Sequence, residues 1–299
     1  MPPKYSASIS GFCRQTGVFQ ALKEIRQAGY DGVDFPFSVY SRTKYAPMCS
    51  DKWWCTWADA VAAYAEELGL CIPQAHAPWE QTVAEDLHYE PPAEIYARVF
   101  EACSMMDCRK LVFHAVPYPH RIVSADTLSA IHQYNLRFFR ELLPLAEKHS
   151  VTVELENTFD YYHFRMPGDP ELPFITAQQM NALADELSSP LVKICLDTGH
   201  ANIAGQDLPR MIEAIGSRLD CLHLNDNLGK QSGLNEDLHL FPGDGTIPWR
   251  ETAAALKRIS YRGDLNLEII ADLSHLSSEK RMERLRQGRE RIQTLFETV

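Results

Sequence analysis

VKICLDTGH, residues 192–200, reads as a short buried strand that ends on a carboxylate and breaks into a turn. Val192, Ile194, Cys195 and Leu196 suit a strand covered on both faces, and Asp197 stands where the apolar run stops. The same design recurs on both sides of it. VTVELEN (151–157) brings Glu156 to a strand end, LDCLHLND (219–226) brings His223, and LNLEII (265–270) brings Glu268. Side chains at the carboxyl ends of neighbouring parallel strands meet at one rim, and three carboxylates with one imidazole make an oxygen-rich cage for a hard divalent ion. The reading therefore predicts one divalent metal ion, Mn²⁺, Mg²⁺, Co²⁺ or Zn²⁺, held by Glu156, Asp197, His223 and Glu268.

Working outward, apolar β-rich runs alternate with segments of helical period. The further strand candidates are 5–10, 32–35, 70–76 and 110–115, giving eight in all with 151–156, 192–197, 221–225 and 265–270. Between them lie stretches such as VFQALKEIRQAG, WADAVAAYAEELG and TAQQMNALADELS, whose apolar residues fall three and four apart, as a helix packing one face on a sheet requires. Gly29 and Gly69 mark helix ends, and Thr176 and Asp207 mark helix starts. Eight strict β-α units predict an α/β fold of the (β/α)₈ TIM-barrel type, a single domain over residues 1–299 with a C-terminal helix at about 278–297. Connections 36–56, 157–175 and 226–247 follow strands, so they fall on the same rim as the carboxylates. Trp53, Trp54, Phe159, Tyr161, Tyr162, His163, Phe164 and Arg165 make the first two aromatic, a composition that suits a sugar face or a packed loop equally.

Composition narrows the function. A net charge of −11, from 29 Lys+Arg against 40 Asp+Glu, removes the general attraction to a phosphate backbone, so no nucleic-acid partner is expected. Eight cysteines without a CxxC pair read as reduced, mostly buried thiols. The first residues lack a charged segment followed by an apolar core, and no apolar run is long enough to span a bilayer; the expectation is a cytoplasmic protein without a membrane partner. Exterior helices and the segment 277–299 offer surfaces for a homo-oligomer.

LVFHAV, ELEN, CLDTGHANIAG, LHLNDN, DLHLFPGDGTIPW and the closing LEI together resemble the xylose-isomerase-like TIM-barrel superfamily, over nearly the whole chain. That group includes sugar-phosphate isomerases and epimerases, ketose 3-epimerases, inosose-processing enzymes and the endonuclease IV type of AP endonuclease. The resemblance implies a small carbohydrate or cyclitol substrate, with Glu156 and Glu268 alternating as base and acid across an enediolate. It implies that His200 touches a substrate oxygen, with His76, His114, Asp237 and His239 lining the substrate pocket. Free-ketose 3-epimerases carry a second Glu and an Arg where this chain has Tyr162 and Gly229, which disfavours a standard ketohexose 3-epimerase. The alternative is a nuclease. His76, His114, Glu156, Asp197, His200, His223, Asp237, His239 and Glu268 match in type the nine ligands of the trizinc endonuclease IV site, whose substrate is abasic DNA.

Overall fold

The computed structural model describes residues 4–43, 45–78, 81–84, 87–89, 93–114, 125–159, 173–229, 237–269 and 273–297. Its strands are β1 (Tyr5–Ser8), β2 (Gly32–Pro36), β3 (Cys71–His76), β4 (Gln81–Ala84), β5 (Leu87–Tyr89), β6 (Lys110–His114), β7 (Thr152–Glu156), β8 (Val192–Asp197), β9 (Leu219–His223) and β10 (Leu265–Leu267). Eight of them form one parallel sheet in the order β10-β1-β2-β3-β6-β7-β8-β9. Leu224 closes the ring: its N–H donates to Asn266 O at 2.8 Å, and its carbonyl accepts from Glu268 N at 3.0 Å. All eight expected strands are present, shifted by a few residues at their ends. The antiparallel hairpin of β4 and β5 was not anticipated, because each arm is too short for its periodicity to register.

The alternation along each strand explains the layering. One phase, including Val33, Phe35, Leu111, Phe113, Val153, Leu155, Ile194 and Leu196, is buried in the large core shared with the surrounding helices. The opposite phase runs up the middle of the barrel and is largely polar: Ser6 and Ser8, Asp34, Gln74 and His76, Glu154 and Glu156, Asn266 and Glu268. Val112, Cys195 and Cys221 make a small apolar patch there. Buried polar groups need partners, and here they find each other: Ser6 Oγ donates to Asn266 Oδ1 at 3.0 Å. The helix from Ser278 to Glu297 packs against the helix from Val18 to Gln27 through a buried ion pair, Arg281 Nη1 to Glu24 Oε2 at 2.8 Å. Thr176 forms the capping box expected of a helix start, and Asp207 caps its own helix. Among the described residues no helix is long and apolar enough to cross a membrane.

The connection 36–56 is less irregular than its length suggested, since it holds a helix at Phe37–Tyr40 and a 3₁₀ turn at Pro47–Cys49. Trp54 packs partly on the core, while Trp53 is exposed. Of the second aromatic connection, Tyr161, Tyr162, His163, Phe164 and Arg165 lie outside the described residues.

Glu154 sits one layer below Glu156, and burial followed by the nearby Asp220 pushes its carboxyl from 4.5 up to about 8. A carboxyl whose folded pKa is raised stabilises the fold fully below its unfolded value of 4.5, and that contribution is lost as pH rises through about 8. Glu154→Gln mimics the protonated form. It should match the parent near pH 5 and exceed it near pH 9 by on the order of a few kcal/mol, since each tenfold change in proton affinity is worth about 1.4 kcal/mol. Urea unfolding at both pH values checks this; identical pH dependence in parent and variant would refute it.

Candidate functional site

Strand ends carry the titratable groups. His76, His114, Glu156, Asp197 and His223 are the last residues of β3, β6, β7, β8 and β9, and Glu268 follows β10 directly. All converge. His223 Nδ1 lies 3.1 Å from Glu156 Oε1, 3.4 Å from Glu268 Oε2 and 4.0 Å from Asp197 Oδ2. His76 Nε2 is 3.5 Å from Glu268 Oε1 and 3.8 Å from Glu156 Oε2, and His114 Nε2 is 2.9 Å from Glu156 Oε2.

Short local contacts hold these groups in place. Asp197 caps the helix Thr198–Ile203, accepting His200 N–H at 2.7 Å, and its other oxygen accepts from Asn225 Nδ2 at 2.8 Å. Gly199 is required there, because a Cβ would collide with Asn225 Oδ1. Asn157 bridges β7 and β8, donating to Asp197 O at 2.9 Å and accepting from Asp197 N at 2.7 Å. The segment from Asp237 to Trp249 is tied down by Asp226. Its carboxylate accepts from Gly243 N at 2.9 Å, Ile247 N at 3.2 Å and Trp249 Nε1 at 2.7 Å, and Gly245 leaves the space in which Asp226 and Asn227 sit.

That segment brings up a second group. His239 Nε2 is 3.1 Å and His200 Nε2 is 3.7 Å from Asp237 Oδ1. Each ring donates its Nδ1–H to a backbone carbonyl, His239 to Glu268 O and His200 to Asn157 O, both at 2.9 Å, so both Nε2 atoms turn toward Asp237. Three sets have ligand atoms within 4.8 Å of one another: His76, Glu156, His223 and Glu268; His200, Asp237 and His239; and Glu156, Asp197 and His200. All nine residues singled out in the sequence therefore meet, and His76 stands with the carboxylates rather than apart from them. The side chains of His114 and Asp237 are 35% and 18% exposed while those of the other seven are at most 8%, so solvent reaches the cluster from the His114 and Asp237 side. Phe159, in the loop after β7, is buried with its ring 5.1 Å from that of His200.

Charge crowding is the site's main electrostatic feature. Burial, then Asp197 and Glu156, hold the Glu268 carboxyl well above its usual range. Burial acts against ionisation of Glu156 as well, but the imidazoles of His114 and His223 outweigh it and hold that carboxyl well below its usual range. Burial lowers and Asp34 raises His76, the net being about 9. Asp237 is lowered: burial opposes ionisation, and His239 and His200 overcome it. A divalent cation fits this donor set, since it would offset the crowded carboxylates and satisfy Glu156 Oε2, a buried oxygen without an aligned hydrogen bond.

Sequence reasoning missed Asp34 and Asp226. Asp34 is a lone acid in the otherwise apolar strand GVDFP, at an inward phase, and that contrast is a signal that could have found it.

Residues 22–295 match the family described as Xylose isomerase-like TIM barrel. A D-psicose 3-epimerase of Enterocloster bolteae is 29% identical over 214 residues, which is 69% of this chain and 64% of that relative's length. Among solved structures, D-psicose 3-epimerase with D-tagatose from Clostridium cellulolyticum H10 superposes with a TM-score of 0.72 at 18% identity, over 98% of this chain and 99% of that one. The IOLI protein, solved with a zinc atom, superposes with a TM-score of 0.72 at 16% identity, over 99% of this chain and 98% of that one. With eight parallel strands closed into a ring and the family matched along most of its length, the chain belongs to the xylose isomerase-like TIM-barrel family.

Proposed function

We propose that the protein is a divalent-metal-dependent isomerase or epimerase acting on the keto form of a sugar, sugar phosphate or cyclitol. One observation carries the reading: Glu156 and Glu268 both flank His223 Nδ1, at 3.1 and 3.4 Å, yet their acidities are pushed in opposite directions. Two carboxyl groups with separated pKa values around one point are what a base and an acid acting on one substrate require.

Glu156, Asp197, His223 and Glu268 would hold the cation, which when bound polarises two adjacent substrate oxygens and stabilises the negative charge that builds on them. Glu156, ionised, takes the proton from the carbon beside the carbonyl, giving an enediolate. Glu268 returns a proton, to the opposite face of the same carbon for epimerisation or to its neighbour for isomerisation. His76, His114, His200, Asp237 and His239 hydrogen-bond the substrate hydroxyls and hold the chain of carbons in register. The similarity of the chain to a D-psicose 3-epimerase supports the substrate class. A cytoplasmic setting and self-association through the exterior helices belong to the same proposal.

A second reading, metal-dependent phosphodiester cleavage of the endonuclease IV kind, is favoured by the separate His200, Asp237 and His239 group. The net charge of −11 opposes it. We expect one metal ion per chain, deuterium incorporation at a single carbon of one member of a ketose, inosose and sugar-phosphate panel in D₂O with Mn²⁺, and no nicking of abasic duplex. Three zinc ions per chain with salt-sensitive nicking would replace the first reading by the second.

A further inference from the structure

Behind the cluster lies one carboxylate that the ligand set does not need. Asp34, fully buried on β2, has its oxygens 3.2 and 3.1 Å from His76 Nδ1, and Oδ2 is 3.6 Å from His223 Nε2. The two rings stack with centroids 4.4 Å apart and planes 20° apart, and they are turned in opposite senses. His76 points Nε2 at Glu156 and Glu268, whereas His223 points Nδ1 at Glu156, Glu268 and Asp197. Asn266 Nδ2 donates to Asp34 Oδ2 at 3.4 Å, and Asn266 is itself oriented by Ser6 Oγ on its Oδ1, so a donor already faces this carboxylate from a third strand.

An ionised carboxylate only accepts hydrogen bonds, and a neutral imidazole has one N–H and one lone pair. Were the His223 proton on Nδ1, it would meet Glu156 Oε1 at 3.1 Å, but the Nε2 lone pair would then face Asp34 Oδ2 at 3.6 Å with no hydrogen-bond partner among the described residues, an acceptor opposed to an acceptor. With the proton on Nε2, the same contact is attractive. The Nδ1 lone pair then faces the three carboxylates, Glu156 Oε1 at 3.1 Å among them, an opposition that a cation between them relieves, so this tautomer belongs to the metal-bound site.

We propose that Asp34 is a positioning residue that fixes two rings at once, holding Nδ1–H of His76 and Nε2–H of His223, so that His223 offers Nδ1 to the metal. This rests on the metal-dependent reading and adds to it the residue that sets the ligand's tautomer. A carboxamide cannot replace Asp34, because whichever way it is turned its NH₂ would confront an N–H, of His76 on one side or of His223 and Asn266 on the other.

Two measurements test it. In zinc-loaded protein labelled with ¹⁵N-histidine, ring correlations should show His223 protonated at Nε2 and His76 at Nδ1; a zinc-loaded His223 carrying its proton on Nδ1 overturns the inference. In Asp34→Asn, zinc should bind about 10- to 100-fold more weakly, as loss of a carboxylate behind a ligand histidine generally does, with the His223 ring pattern altered. Unchanged zinc affinity in a folded variant overturns it too, and should the variant not fold, the ring measurement on the parent decides. Failure of the parent to bind zinc at all would instead remove the metal reading itself, a result distinct from either.

Discussion

Turnover by Glu156→Gln and by Glu268→Gln is expected to fall by roughly 10²- to 10⁴-fold while the barrel stays folded. The amide keeps the volume and one acceptor oxygen but exchanges no proton at neutral pH. The two losses should differ in kind. Glu156, held ionised by His114 and His223, is assigned the first proton abstraction, so its variant should neither convert substrate nor wash deuterium into the substrate carbon. Glu268, its proton affinity raised by burial and by Asp197 and Glu156, is assigned the return of the proton, so its variant should still exchange deuterium at that carbon without releasing the epimer or isomer. Exchange and conversion followed together by NMR in D₂O separate the two. Normal turnover in either variant would show that the residue does not have its assigned role.

The second large effect concerns the cation. Asp197→Ala and His223→Ala should each lose tight divalent-metal binding, by more than the roughly 10- to 100-fold typical of groups that act behind a ligand. His223 Nδ1 has three carboxylates around it, so its removal leaves those charges facing one another across a void. Asp197 also caps its helix and fixes His200, so its loss should add about 1 kcal/mol of destabilisation from the missing cap. Titration calorimetry with Mn²⁺ or Zn²⁺, with circular dichroism to verify folding, checks both. Full metal retention in both variants would refute the ligand assignment.

Much of this was legible because strands and their ends leave local marks. Buried parallel strands are short apolar runs, and a charged residue at the end of such a run, as in VKICLD, is rarely there for packing alone. Helix starts at Thr176 and Asp207 were equally readable, since capping is a matter of a few adjacent residues. The hairpin of β4 and β5, the helical content of residues 36–56 and the part played by Asp226 were not. Asp226 satisfies donors from Gly243, Ile247 and Trp249, contacts that exist only once the segment has folded back across the barrel mouth.

The sequence by itself determined the (β/α)₈ order, because period-two and period-3.6 patterns follow from backbone geometry that each segment carries alone. It also determined which six acids and histidines stand at strand ends, and its motifs, by their resemblance to the family, added His200, Asp237 and His239. Only the tertiary structure decided how those nine divide. Closure of the ring between β9 and β10 brings Glu268 against His223, and the folding back of Asp237 and His239 makes a second group with His200. It alone set the opposite shifts in acidity of Glu156 and Glu268. Two identical side chains at like positions on two strands have the same intrinsic acidity, and what separates them is the company of His114 and His223 for one and of two carboxylates for the other.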